Sequence, residues 1–270
     1  MNSTLITSDS DLRKYIPNIV ASVKGETLLF DKLAPFLDSA ENWLTKTFVP
    51  AILLDKVQHI AAEIVAAEAY RLALPQLDIV LTPNGFATVG NQNLSPASKM
   101  RVDRLVGGLR EARDTAINLL LHTLPSVEAW LNTAQAAWFA ATLFPSLDVV
   151  KQTGETERLW DKYLELRPRI IDIEDSLAED FFSPELIAAL RQRLLSQNLQ
   201  TFDNRVISGL QTQIVAVLRG ENINMRKMID IVNFIRSHAE AFPEWHSSDT
   251  AKLFSPPIFS NSKSAHGYFF

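Results

Sequence analysis

Three groups of side chains have the types and spacing for chemistry. His59 and Glu63 lie four residues apart. On a helix that spacing puts an imidazole and a carboxylate on one face, where they could share a metal ion. An ordinary surface pair needs the same spacing and nothing more. The remaining histidines, His122, His238, His246 and His266, are scattered. The densest acidic run is Asp172, Glu174, Asp175, Glu179 and Asp180. Asp172, Asp175 and Glu179 share a helical face and could offer oxygen ligands to a divalent cation. Ile170, Ile173 and Leu177 line the opposite face, so the run also reads as the solvated side of an amphipathic helix. No glycine-containing calcium loop accompanies it. The third group is basic: Lys99, Arg101, Arg104, Arg110 and Arg113. These could contact phosphates or an acidic partner. Asp103, Glu111 and Asp114 interleave with them, Lys99–Asp103 and Arg110–Asp114 at the i,i+4 spacing, which favours a self-paired, solvated face.

Catalytic motifs are absent. There is no Gly-rich phosphate loop, no G-x-S-x-G and no H-E-x-x-H. The chain has no cysteine, which removes disulfides, cysteine zinc sites, thiol nucleophiles and iron–sulfur clusters. The expectation is a protein that is not an enzyme and needs no cofactor or metal. The net charge of −5 over 270 residues disfavours sequence-specific nucleic-acid binding, which needs clustered Lys and Arg. The opening MNSTLITSDSDLRKY has no apolar core of a signal peptide. The richest apolar stretch, AQAAWFAATLF, falls short of the roughly 18 residues of a membrane helix. No signal peptide and no transmembrane segment are expected, and so no membrane partner.

The elements that would hold these residues are almost all helical. Ser8 or Asp9 can cap a short helix that Pro17 stops. Leu33, Leu37, Ala40, Leu44 and Phe48 form one apolar stripe ending at Pro50. The spacing predicts a second helix over 52–74, ended by Pro75. Then the period changes. In LDIVLTPNGFATVG, Leu77, Ile79 and Leu81 alternate with Asp78, Val80 and Thr82, and Pro83-Asn84-Gly85 is a turn sequence. That reads as a β-hairpin over about 77–90. Ser95-Pro96 opens the next helix, which carries Gly107-Gly108 and so implies a close neighbour or a bend. Further helices fit 155–182, 184–197, 202–218 and 224–241. The Trp residues 43, 130, 138 and 160 read as core. Past Pro243, where Trp245 lies, the pattern dissolves into a tail ending in Tyr268, Phe269 and Phe270.

The two halves resemble each other. At a constant offset, Leu33, Pro35, Glu41, Leu44 and Phe48 meet Leu166, Pro168, Glu174, Leu177 and Phe181. One extra residue then brings Pro50 against Pro184. The second copy has no counterpart of the hairpin. The expected fold is mainly α: two similar helical-bundle repeats packed together, one hairpin inserted in the first, and an extended C-terminal tail. The expected division is an N-terminal segment 1–24, a first repeat 25–143, a linker 144–153, a second repeat 154–245 and a tail 246–270.

The stretch LDIVLTPNGFATVGNQNLSPASKMRVDRL is similar to a motif in uncharacterised proteins of phages and prophages of gut anaerobes, where a D-x-V-L-T-x-N-G-F-x-V hairpin leads into P-A-S and a helix. The helix-and-break segments at 41–50 and 174–184 also fit that pattern. Those proteins in turn resemble phage head–tail connector, or head-completion, proteins. The resemblance implies a non-catalytic virion structural or assembly protein, in the host cytoplasm or the virion. Its partners would be further copies of itself or portal and tail proteins. The contact elements would be the hairpin tip, Thr82, Pro83, Asn84, Gly85 and Phe86, and the tail residues Tyr268, Phe269 and Phe270. The alternative is an accessory binding protein with a groove between the repeats. The sequence alone leaves the oligomeric state open.

Overall fold

Ser8 opens the first helix by accepting a hydrogen bond from the Asp11 N–H. In the computed structural model, which describes residues 3–16, 28–77, 79–82, 85–88 and 99–254, this helix is α1, Asp9–Tyr15. It does not stand apart as an N-terminal segment. Glu41 accepts from Ser3 Oγ at 2.6 Å, from the Thr4 N–H at 2.8 Å and from Thr4 Oγ1 at 2.5 Å. Ile6, Leu12 and Ile16 are buried. One carboxylate thus ties down a segment whose apolar side chains are already in the core.

The chain divides into two units, Met1–Pro168 with Leu194–Asn198, and Arg169–Arg193 with Leu199–Phe270. In the first unit, α2 (Leu29–Thr47) buries Leu33, Leu37, Ala40 and Leu44 as one stripe. A 3-10 turn, Ala51–Lys56, leads into α3 (Gln58–Leu77). The buried side chains of α3 are mostly small, among them Ala61, Ala62, Ala66, Ala67, Ala69 and Ala73. Small side chains let α2 and α4 pack close against it from different sides. Pro75 stands inside α3 rather than ending it, because within the last turn it removes one hydrogen bond and little else. Two four-residue segments follow, Ile79–Thr82 and Gly85–Thr88, paired antiparallel with Ile79 opposite Thr88 and Thr82 opposite Gly85. Only their backbone is described. Pro83, Asn84 and the helix start expected at Ser95-Pro96 lie outside the described residues.

The remaining helices of this unit are α4 (Lys99–Thr123), α5 (Glu128–Leu131), α6 (Ala134–Phe139), α7 (Asp148–Gln152) and the first half of α8 (Leu159–Leu177). A Cβ added at Gly107 or Gly108 would meet nothing within 4 Å, so no close neighbour explains the glycine pair. The stretch 144–153 is core and not a linker. Phe144, Leu147, Val149 and Val150 are buried. Tyr163 donates its hydroxyl to the Phe144 carbonyl at 2.8 Å, and the Leu147 N–H donates to Asn118 at 2.8 Å. The division of the chain accordingly falls inside α8, after Pro168, and not near residue 154.

In the second unit α8 runs into a π-helical turn, Ala178–Phe182. Then come α9 (Pro184–Leu195), α10 (Asp203–Leu218), α11 (Met225–Ser237), α12 (Pro243–His246) and α13 (Asp249–Leu253). Gly209 leaves room where α10 meets α11: a Cβ there would stand 2.7 Å from Ile231 Cδ1, and that side chain would have to shift. The expected tail begins later than residue 246. Ser248 caps α13 by accepting from the Ala251 N–H, and Thr250 and Ala251 are buried. Residues 255–270, including Tyr268, Phe269 and Phe270, lie outside the described residues.

One arrangement of three rings occurs in each unit. In the first, Trp130 donates its indole N–H to the Phe48 carbonyl at 2.8 Å; in the second, Trp245 donates to the Phe181 carbonyl at 2.8 Å. Three residues after each Trp, a hydroxyl residue caps the next helix and donates back to the Trp carbonyl: Thr133 at 2.7 Å and Ser248 at 2.6 Å. Nine residues after each Trp, a Phe closes the triangle. Phe139 lies 6.5 Å from Trp130 and 6.0 Å from Phe48; Phe254 lies 6.2 Å from both Trp245 and Phe181. The extra residue before Pro184 is taken up by the wider π turn, which also sends Phe182 into the core.

Replacing Trp130 or Trp245 by Phe keeps a ring but leaves a carbonyl without its donor. Each variant is expected to lose about 1–3 kcal/mol in equilibrium urea unfolding. Equal losses at the two sites would mark the arrangements as equivalent. Unchanged stability in both would show that the indole N–H contributes nothing.

Candidate functional site

The most concentrated polar chemistry lies where α3 crosses the second half of α4. Glu68 on α3 and Arg113 and Asp114 on α4 are 7%, 3% and 1% exposed. The Arg113 guanidinium donates to Glu68 Oε2 at 2.9 Å and to Asp114 Oδ1 at 2.8 Å. Arg71, one turn after Glu68, donates to both of its carboxylate oxygens at 2.8 and 2.7 Å. The Trp160 N–H reaches Asp114 Oδ2 at 3.3 Å, and Asp161 stands 3.9 Å from Arg113. The Trp43 ring lies 5.9 Å from the guanidinium carbon. The basic helix is therefore not a solvated face along its whole length. Its second half packs on α3, where Glu68 supplies the acid that Arg113 needs once it leaves water.

Burial and charge oppose each other in this cluster, with different winners. Burial pushes the Glu68 carboxyl up, but the Arg71 hydrogen bonds and the Arg113 charge outweigh it and hold it below the usual range. At Asp114 burial prevails over Arg113, and the carboxyl is pushed up. Arg71 is raised by its hydrogen bond to Glu68.

Beside the cluster a cavity of about 470 Å³ opens between α4 and the segment that enters α8. Asp103, Arg110, Glu111, Asp114, Glu157 and Arg158 line it. Arg158 turns the chain into α8 with φ of 53°, in the left-handed region. Its guanidinium is held by Asp161 at 3.3 Å. Arg110 does not form the expected i,i+4 pair, because Asp114 is turned toward Arg113. Nε of Arg110 is buried without a hydrogen-bond partner. Among the described residues the site offers fixed charges of both signs and no nucleophile-and-base pair.

The first six residues of α4 present a different surface. Lys99, Met100, Arg101, Val102, Asp103 and Arg104 are all exposed, Met100 at 73%. Six consecutive helical residues point in every direction around the axis, so none of the described residues covers this end of α4.

The other expected sites do not converge. Thr82, Gly85 and Phe86 sit on the paired strands, with Thr82 opposite Gly85; Pro83 and Asn84 lie outside the described residues. His59 is exposed, with its ring edge-on to Tyr15 at 5.6 Å. Asp172, Asp175, Glu179 and Asp180 are exposed along α8 and the π turn, whereas Glu174 is buried and accepts from Arg191 at 2.8 Å. No three His, Cys, Asp or Glu side chains are grouped to hold a metal among the described residues. No helix among them is long and apolar enough to cross a membrane. The three-ring arrangement and the Glu68–Arg113–Asp114 cluster went unseen in the sequence. The available signal for the second was Glu68 itself, a lone acid in the apolar run IVAAEAY.

A family model described as a family of unknown function (DUF6712) matches residues 16–140. That stretch holds Phe48, Trp130 and Phe139, the buried ion cluster and the two paired segments, and no part of the second unit. No curated protein and no solved structure matches the chain.

Arg113→Met would leave Glu68 and Asp114 buried without their shared partner. A loss of about 3–5 kcal/mol at neutral pH is expected. Asp114 already has a raised pKa, and without Arg113 it rises further. Such a carboxyl contributes stability that is present below its unfolded pKa and lost as pH rises through the window up to its folded one. Glu68, held low by its partners, would lose part of that depression. The deficit of the variant should thus shrink as pH falls from 7 toward 4 in urea titrations. A deficit independent of pH would contradict this account.

Proposed function

We propose that the protein is a non-catalytic assembly protein that docks on a protein partner through the element between α3 and α4. The observation that carries this reading is the uncovered start of α4. There Lys99, Arg101 and Arg104 stand beside the exposed apolar residues Met100 and Val102, on the helix that follows the paired strands in the chain. A mixed cationic and apolar surface of this kind suits an acidic protein partner. A two-stranded sheet has an unpaired edge on each strand, and a partner's strand can add to one of them.

The resemblance of this same stretch to phage and prophage proteins supplies the setting. On that reading the protein is a virion structural or assembly component, of the head–tail connector or adaptor kind, in the host cytoplasm or the virion. The residues at the hairpin tip, Thr82 to Phe86, make the contact, joined by the aromatic end of the chain. The two three-ring arrangements support an origin of the two units by duplication. The Trp lies 82 residues from its carbonyl partner in the first unit and 64 in the second. The difference of 18 is close to the length of the segment between α3 and α4. The first copy is then the one that gained a docking element.

The test is solution mass by light scattering. The full chain is compared with a variant in which residues 83–86 become a Gly-Ser loop, and with Lys99→Glu/Arg101→Glu/Arg104→Glu. A full-length oligomer that falls to monomer in both variants is the expected result. A monomeric full chain would overturn self-association through this element, and an oligomer indifferent to both changes would overturn the element's role.

A further inference from the structure

We infer that the cavity between α4 and the start of α8 is a binding site for a basic amino acid, or for the basic C-terminal residue of a peptide, with the ligand carboxylate on Arg110 and its cationic nitrogens on the surrounding acids. The inference is independent of the docking reading above. It starts from Arg110. This guanidinium forms no ion pair among the described residues, and its Nε is buried without an acceptor. A buried cationic donor left unsatisfied is costly, and a ligand carboxylate restores a charge-assisted hydrogen bond there. The acid one turn on, Asp114, cannot serve, because Arg113 and the Trp160 N–H hold its oxygens.

The rest of the lining sets the other half of the ligand. Asp103, Glu111 and Glu157 face the cavity and form no ion pair among the described residues. Arg158, the second cation of the lining, is engaged by Asp161. Among the described residues the charges left without an ion pair are thus one cation and three carboxylates. A simple anion would satisfy Arg110 but meet three like charges, and a simple amine would leave Arg110 bare. A ligand with one carboxylate and two cationic groups matches both. The cavity volume of about 470 Å³ is within the range of small-molecule sites. The buried cluster beneath it fixes the wall: Arg113 and Asp114 are locked to α3 through Glu68, so α4 presents Arg110 and Glu111 at a set rotation.

Isothermal titration of the full chain with L-arginine tests this. Agmatine, which keeps the guanidinium and lacks the carboxylate, is the matched probe. L-Arginine is expected to bind with Kd of about 1 mM or tighter, and agmatine about tenfold more weakly. Arg110→Gln should weaken L-arginine about tenfold while leaving agmatine nearly unchanged. Glu111→Gln/Glu157→Gln, at two exposed positions, should weaken both probes and keeps the test available if Arg110→Gln fails to fold. No binding of L-arginine at 10-fold above that concentration would overturn the site. Equal binding of the two probes to the wild type, or no effect of the Glu pair, would overturn the assigned roles.

Discussion

The indole-to-carbonyl hydrogen bond at each helix break is the interaction on which the rest of the fold rests. A helix ends with carbonyls that have lost their intrahelical donors, and a buried end cannot turn to water for replacements. Phe48 is where α2 ends, and it is fully buried. Trp130 has the complementary need: a large ring that belongs in the core and an N–H that must find an acceptor there. Each satisfies the other at 2.8 Å. Because 82 residues separate them, the bond closes only when α3 and α4 are already in place. It is a test of the whole unit more than of any one helix.

The second unit meets the same requirement with fewer residues and a different turn. The π-helical turn absorbs the additional residue before Pro184, so that Phe181 still offers its carbonyl to a Trp while Phe182 fills the core. The Thr133 and Ser248 caps then do two jobs with one hydroxyl each: they accept from the new helix and donate to the Trp carbonyl. With carbonyl, indole and cap fixed, the chain between break and Trp is free to vary in length. The segment between α3 and α4 sits in that permitted interval, where a change of length leaves the carbonyl, the indole and the cap in place.

Apolar period and proline made most helices legible. The stripe of α2, the Ser8 and Asn224 starts and the break at Pro50 follow from local chemistry that tertiary contacts only reinforce. What failed was long-range. The stretch 144–153 reads as a connector because of its Pro, Ser and Thr and the Gly that follows, yet its four large apolar residues are buried, and Tyr163 and Asn118 on other helices bond the backbone of Phe144 and Leu147. The ring triangle was hidden for a related reason. The helix halves align at one offset and the Trp halves at another, so a single constant offset finds the first and misses the second. Trp245 lay where the periodic pattern had dissolved, and its burial is decided by Phe181 and Phe254, not by its neighbours.

Charge was the least legible property. On α4, Arg110 and Arg113 are one turn apart, and by sequence Arg110 is the better provided, with Asp114 four residues on and no acid three or four residues from Arg113. Their fates differ because α3 brings Glu68 to Arg113, whereas Arg110 forms no ion pair among the described residues. Asp114 is drawn to the buried side, since a carboxylate with a guanidinium at 2.8 Å in low dielectric is held more strongly than one reaching back to a half-exposed partner. That choice satisfies the core and deprives Arg110 of its helical partner in the same move. The unpaired charge at the cavity is therefore a consequence of how α4 is fixed to α3, and it persists as long as Glu68 stays ionised beneath it.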